Sequence, residues 1–200
     1  MNGQAIEFEF RLDEGEFAAL TQKLRDLSGN KARTYIARAL NKTATSARVK
    51  LANKAQASYT VKSGGFKKDA RIEKASAGNL TAYIKSEGKT LNVHNFKWLA
   101  NPSNRKGSSA VKIDVVRSGL KQMGMNGNKA FTYKQAKKAG GYANLVFVRP
   151  QRARLPIFIM KSKSVPYMLG NDQRVWLPTR PQIESDLKKF MQQQIKQLVG

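Results

Sequence analysis

Few residues in this chain have the types and spacing that catalysis requires. It contains one histidine, His94, and no cysteine, so disulfides and thiolate metal sites are excluded. The four acids within residues 27–171 stand singly, whereas a metal ion for hydrolysis needs several converging carboxylates or imidazoles. We therefore expect no metal site, and a metal-dependent nuclease is the enzyme class that the sequence disfavours most. The four acids are Asp69, Glu73, Glu87 and Asp114.

Acids that lie close together in the sequence have structural explanations. Glu7 and Glu9 alternate with apolar residues, as on the polar face of a strand, and the acids at 13, 14 and 16 mark a helix start. Glu184 and Asp186 lie in the first turns of a predicted helix, where carboxylates stabilise the helix dipole. No GxxxxGKS/T or GxGxxG phosphate-binding loop occurs. We expect no catalytic residues, no cofactor and no enzyme activity.

The chemistry that the sequence favours is the binding of anions. Lys and Arg number 37 against 13 Asp and Glu, which gives a net charge of +24. Residues 27–171 hold 29 of these bases and only four acids, whereas residues 1–26 are acidic. Such an excess repels itself unless an anionic partner balances it, and nucleic acid or an acidic protein surface is the usual partner. The acidic N-terminus is unlike a signal peptide and no apolar run is long enough to span a membrane, so we expect cytoplasmic synthesis and no membrane contact.

A long helix over residues 30–58 is the element predicted to position many of these charges. This stretch has no Pro or Gly and is rich in Ala, Lys and Arg, which favour helices. Apolar residues recur at spacings of four and three and form one narrow stripe, with basic residues on the opposite side. The plain interpretation is a core helix with a solvated basic face, and the alternative is a face that binds phosphate or an acidic partner. The stripe consists of Ile36, Leu40, Thr43, Ala47 and Leu51.

The remaining patterns predict an α+β fold in which the long helix and a C-terminal helix pack on an antiparallel sheet, with extended loops. We expect an acidic strand and helix at 1–29, then one domain at 30–200 with a mobile polar insertion around 86–142. Thr179 and Gln182 fit a capping box at the start of the C-terminal helix, and Pro156 predicts an edge strand. The other expected elements are a strand at 6–10, helices at 14–27 and near 62–71, a hairpin turn at 76–79, and strands within 71–85, 111–117, 144–149 and 154–161.

Two stretches carry a resemblance to a known family. The helix sequence IARALNKTATSARVKLANKAQASYTVK runs into a basic segment at 61–74. The strand residues FVR at 147–149 are followed by LPI at 155–157 and by SVP at 164–166. In these features residues 30–198 resemble the minor tail protein Z family, the tail-completion proteins of long-tailed bacteriophages such as lambda.

This resemblance implies a structural virion protein at the head-proximal end of the tail. It implies a homo-oligomeric ring, for which a hexamer is favoured, in contact with other tail or neck proteins. We expect sequence-independent contact with DNA or with the tail channel, since a ring that a genome crosses needs a basic lumen without base readout. A non-virion, sequence-independent nucleic-acid-binding module is the alternative. The candidate DNA- or channel-facing residues are Arg38, Lys42, Arg48, Lys67, Lys68, Lys129, Lys134, Lys137 and Lys138.

Aromatic residues beside lysines raise the separate possibility of base stacking. Phe96 and Trp98 flank Lys97, and Phe131 and Tyr133 lie near Lys129. Such interleaving occurs in proteins that bind single-stranded nucleic acid. Because no RNP-type motif accompanies these aromatics, we expect them to pack in the core or at an interface instead.

Overall fold

The predicted α+β class is confirmed. The computed structural model describes residues 4–11, 15, 29–61, 65–100, 111–132, 145–153 and 155–199. The helices are α1 (Gly29–Ser58), α2 (Gly65–Asp69), α3 (Val165–Leu169) and α4 (Leu177–Val199), with a 3₁₀ turn at Val93–Asn95 and a π-helical turn at Asp172–Trp176. The strands are β1 (Gln4–Phe10), β2 (Ala70–Glu73), β3 (Ala82–Gly88), β4 (Lys97–Ala100), β5 (Val111–Asp114), β6 (Lys121–Gln122), β7 (Gly124–Met125), β8 (Asn128–Lys129), β9 (Phe131–Thr132), β10 (Val146–Val148) and β11 (Phe158–Ile159).

The chain divides into two compact units. The first, which we name the helical unit, contains the described parts of residues 4–55, 66–88 and 166–199. The second, which we name the strand unit, contains the described parts of residues 56–65 and 89–165. The helix expected at 14–27 and the polar loop at 101–110 lie outside the described residues, apart from Gly15.

Helix α1 confirms the long helix predicted from residue 30 and buries a wider face than the predicted stripe. All five stripe residues are buried, and so are further alanines on both sides of the stripe, including Ala39, Ala44 and Ala55. Within the stripe, the Thr43 hydroxyl donates a hydrogen bond to the Ala39 carbonyl oxygen (3.0 Å), which satisfies this polar group in the interior. Small side chains over so wide a face allow neighbouring elements to approach the helix backbone closely.

An antiparallel sheet in the order β1–β3–β2 forms part of the helical unit. Strand β1 confirms the alternating pattern at 6–10, since Phe8 and Phe10 are buried and Phe8 stacks on Trp176 at 4.9 Å between ring centroids. On the other face of the sheet, Lys85 bridges Glu73 (2.8 Å) and Glu7 (3.6 Å). The hydrogen bond to Glu73 raises the pKa of the Lys85 ammonium despite an opposing effect of desolvation.

The connection between β2 and β3 is the predicted hairpin turn. The backbone N–H of Ser76 donates to the Asn79 carbonyl (2.8 Å), and the Asn79 N–H donates back to Ser76 (3.1 Å). Strands β2 and β3 pair antiparallel from Ala70 opposite Ser86 to Glu73 opposite Tyr83. The hairpin therefore presents its turn and the preceding residues, including Lys74, at one end of the sheet.

Helix α4 begins earlier than the capping box predicts. The side chain of Asn171 accepts a hydrogen bond from the Arg174 backbone N–H (2.9 Å) and caps the π-helical turn that leads into the helix. Thr179 is already inside the helix, where its hydroxyl donates to the Val175 carbonyl oxygen (2.6 Å). The prediction of a cap at Thr179 is therefore wrong. Helix α4 has its own apolar stripe at helical spacing, Ile183, Leu187, Met191, Ile195 and Leu198, of which Ile183 and Met191 are buried.

Three small antiparallel sheets occupy the strand unit, in the orders β4–β5–β6, β7–β8 and β11–β10–β9. Residues 86–142 were expected to contain one strand, yet their described part contains β4 to β9 as well as the end of β3. The β7–β8 turn at Asn126-Gly127 has two successive positive φ angles of 49° and 79°, the conformation of a tight hairpin. These strands are two to four residues long, too short for the periodicity from which strands are predicted.

Strand β11 confirms the expected edge position and its antiparallel pairing with β10. Both strands are shorter than expected, because Pro150 and Pro156 lack the N–H groups that would extend the ladder. The connection between β10 and β11 therefore spans residues 149–157. Its first carbonyls accept hydrogen bonds from the side chains of Asn128 (3.1 Å) and Asn126 (3.2 Å).

Candidate functional site

The helical unit contains an open groove between α1 and α4, which we name the basic groove. It has a volume of about 810 Å³, within the range of roughly 300–1,000 Å³ found for ligand sites. Helix α1 forms one wall, helix α4 the other, and the residue after β2 closes one side. The lining residues are Arg38, Asn41, Lys42, Thr45, Ser46, Val49, Lys74, Phe190, Gln194 and Gln197.

The wall formed by α1 places two of the predicted anion-binding residues side by side. Arg38 and Lys42 are four residues apart, so their side chains leave the helix about 40° from each other. Both are exposed, and the Arg38 guanidinium lies 5.0 Å from the centre of the Tyr35 ring. This cation–π contact orients Arg38 without neutralising its charge.

A third cation reaches the groove because Asn41 fixes the chain beside it. The Asn41 side-chain amide donates to the Ala75 carbonyl oxygen (3.0 Å), and its oxygen accepts from the Ala75 N–H (2.8 Å). These two hydrogen bonds satisfy both backbone groups of Ala75, a buried residue, as a neighbouring strand would. The neighbouring Lys74 is thereby placed at the groove.

Helix α4 is attached to α1 at the end of the groove through Asp186. Its Oδ2 accepts hydrogen bonds from Lys50 Nζ (2.6 Å) and Ser46 Oγ (2.5 Å). Desolvation alone would raise the pKa of the Asp186 carboxyl, but the hydrogen bonds from Lys50 and Ser46 outweigh it and lower that pKa. Asp186 thus stays ionised and engaged with α1.

The α4 wall contributes one aromatic ring and two amides. Phe190 is half-buried, and with Val49 it gives the groove an apolar part. Gln194 is 97% buried, and its Nε2 donates to Gln197 Oε1 at 2.9 Å. Its other amide atom, Oε1, is buried and has no hydrogen-bond partner. A buried acceptor without a partner is unfavourable by about 1–3 kcal/mol.

The electrostatic character of the groove follows from its lining. Three lining residues are cations and none is acidic. The carboxylate of Asp186 on α4 is already held by Lys50 and Ser46. An anion in the groove would therefore meet three positive charges with no competing carboxylate in the walls.

Four predicted site residues lie elsewhere than in this groove. Arg48 leaves α1 about 80° away from Arg38, is half-buried, and has a buried Nε atom without a hydrogen-bond partner. Lys67 and Lys68 are exposed on α2. Lys129 is exposed on β8, in the strand unit. Arg48 is therefore separated from Arg38 and Lys42 on α1, whereas Lys134, Lys137 and Lys138 lie outside the described residues.

The aromatic residues and the histidine for which no binding or catalytic role was expected lie in the following positions. Phe96 and Phe131 are buried, in agreement with core packing. His94 is half-buried in the 3₁₀ turn. Among the described residues, no group of three or more His, Asp or Glu side chains could hold a metal ion. No helix in the described part of the chain is long and apolar enough to cross a membrane.

Sequence reasoning missed the α4 half of the groove and Lys74. Phe190, Gln194 and Gln197 follow a spacing of four and three, the same signal that identified the apolar stripe one residue further along. Lys74 had no sequence signal, because its position depends on the pairing of Asn41 with Ala75. Comparisons of the chain with protein-family models, with curated proteins and with solved structures give no match.

Proposed function

We propose that the protein is a structural virion protein that completes the head-proximal end of a phage tail. In this proposal it forms a homo-oligomeric ring, next to other tail or neck proteins, and contacts DNA or the tail channel during head–tail joining. No step of its action is catalytic. The family resemblance of residues 30–198 suggests this role, and the distribution of charge supports it independently.

The observation that carries the proposal is a large positive charge for which the described carboxylates give little compensation. The chain has a net charge of +24, and the basic groove brings three cations together with no acid in its lining. Further exposed lysines lie on separate elements, including Lys67 on α2 and Lys129 on β8. Positive charge spread over several surfaces suits a polyanion that is recognised by its backbone and not by its sequence.

The first experiment measures assembly and DNA binding on the same preparation. We expect a discrete ring in negative-stain images, and duplex DNA binding that is indifferent to sequence. If about six phosphates are neutralised, the affinity should fall roughly a thousandfold between about 50 and 200 mM salt, because counterion release sets this dependence.

Three other outcomes would contradict this proposal in whole or in part. A stable monomer that binds nucleic acid with the same salt dependence would favour the non-virion nucleic-acid-binding module. Tight, salt-insensitive binding to one particular sequence would contradict both. Cleavage of DNA with added magnesium or manganese, lost when a pair of acids such as Glu184 and Asp186 is replaced, would contradict the non-catalytic role.

A further inference from the structure

The shape of the basic groove suits an elongated ligand. Its α1 wall runs from Arg38 to Val49, about 16 Å at 1.5 Å per residue. A nucleic-acid strand advances about 3.4 Å per nucleotide in a duplex and further when it is unstacked, so this length corresponds to roughly three to five nucleotides. The wall is lined by residues from three consecutive turns of the helix, which gives a furrow instead of an enclosed cavity.

The groove offers three kinds of contact to a ligand. Arg38, Lys42 and Lys74 provide positive charge. Phe190 provides an aromatic ring that is only half-buried, and Gln194 provides a buried acceptor with no partner. Proteins that bind single-stranded nucleic acid combine a basic groove with aromatic rings on which bases stack.

We propose that the basic groove binds a short unpaired segment of nucleic acid, with its phosphates on the three cations and a base against Phe190. This rests on the proposed contact with nucleic acid and adds that one site on the protein takes the strand in unpaired form. Every base carries at least one N–H donor on its pairing edge. Gln194 Oε1 accepts such a donor once its side chain turns toward the bound strand, which makes the site tolerant of sequence.

A duplex uses these contacts less well. Its bases are stacked on each other and their pairing-edge donors are already bonded, so Phe190 and Gln194 Oε1 gain nothing from it. A duplex therefore meets the exposed cations of the protein in general, whereas an unpaired strand also uses the apolar part of the groove. An acidic peptide matches the three cations but has no planar ring system for Phe190 unless it contains an aromatic side chain.

The test compares a short single-stranded DNA oligonucleotide of mixed sequence with the duplex of the same sequence, by fluorescence anisotropy on the full chain. Phe190→Leu keeps an apolar side chain but removes the ring. We expect it to weaken single-strand binding fivefold or more, in line with the measured contribution of one stacked base, and to leave duplex binding unchanged. Gln194→Leu removes the acceptor without a partner and should also weaken only single-strand binding. Thermal melting of both variants shows whether they remain folded.

The three cations are tested together against a matched loss of charge. Replacing Arg38, Lys42 and Lys74 by Gln should flatten the salt dependence of single-strand binding by about two units, since each phosphate contributes about 0.7. The control replaces Lys67, Lys68 and Lys129 by Gln, which removes the same charge outside the groove. We expect the control to lower the single-strand and duplex affinities by similar factors.

The outcomes separate this inference from the proposed function. If the wild-type protein binds duplex DNA but Phe190→Leu binds the single strand normally, the inference fails and the proposed function stands. If the groove variants weaken duplex and single strand equally, the groove is a general phosphate contact and the inference also fails. Displacement of the oligonucleotide by polyglutamate at an equal concentration of charge would favour an acidic protein partner. If the wild-type protein binds neither form of DNA, the proposed DNA contact fails as well.

Discussion

At the scale of single residues, Asp186 connects the two helices of the basic groove and makes that connection dependent on pH. Its pKa is lowered in the folded protein by hydrogen bonds from Lys50 and Ser46, against the opposing effect of desolvation. A lowered pKa stabilises the fold above the pKa of the unfolded chain, about 3.9 for aspartate. This contribution is lost as the pH falls through the lower pKa of the folded state.

The change Asp186→Asn should therefore lower the free energy of unfolding at pH 7 by about 1–2 kcal/mol. The hydrogen bonds from Lys50 and Ser46 would then go to a neutral acceptor, at a site that water still reaches. The difference from wild type should shrink below about pH 4. Urea unfolding at pH 7 and pH 3 measures both values. Glu184→Gln is the control, since Glu184 pairs with Arg180 on the exposed surface of the same helix and should change stability by less than about 0.5 kcal/mol. An equal effect of Asp186→Asn at both pH values would show that the carboxylate charge is irrelevant.

At the scale of elements, the sequence predicted those that are long and periodic. Helix α1, strand β1, the β2–β3 hairpin and the stripe of α4 all have patterns that extend over several residues, so their types could be recognised. Strand β5 lies within the strand predicted at 111–117, but the other short strands between β3 and β10 were not predicted, because two to four residues are too few to show a period. The start of α4 was predicted wrongly because Thr179 and Gln182 have the spacing of a cap, while Asn171, eight residues earlier, makes the capping hydrogen bond.

The residues of the candidate site also divide into those that a local sequence pattern predicts and those that it does not. Arg38 and Lys42 were predicted correctly as neighbours because they share a helix and its period. Arg48 was predicted as a candidate together with them, although ten residues on a helix correspond to a rotation of 280°, which separates it from Arg38 by about 80°. Lys74 and Gln194 join the groove through tertiary contacts alone, and no local pattern contains that information.

The contact between α1 and the hairpin can be tested through Asn41. Asn41→Ala removes two hydrogen bonds and leaves both backbone groups of the buried Ala75 without these partners. We expect a loss of about 1–3 kcal/mol in the free energy of unfolding, measured by urea denaturation. Thr45→Ala is the control, because the Thr45 hydroxyl is exposed and bonds only to a carbonyl of its own helix. If Asn41→Ala is no more destabilising than Thr45→Ala, the two hydrogen bonds do not fix the position of Lys74.

At the scale of the whole molecule, the net charge should oppose the proposed assembly while it favours the proposed binding to DNA. Copies that each carry a charge of +24 repel one another, and the range of this repulsion falls from about 10 Å at 0.1 M salt to about 3 Å at 1 M. Exposed apolar side chains of the strand unit, including Leu99, Leu155 and Phe158, offer surface that association can bury. Burial of such surface is not weakened by salt in the way that ion pairs are.

Assembly and DNA binding should therefore respond to salt in opposite directions. We expect the oligomeric fraction of the protein alone to rise between low and high salt, while the affinity for DNA falls over the same range. Analytical ultracentrifugation of the free protein measures the first, and anisotropy with a labelled duplex measures the second. DNA added at low salt should also promote assembly, because its phosphates neutralise the repulsion between copies. If the free protein dissociates as salt rises, ion pairs hold its copies together, and the net charge is not what limits assembly.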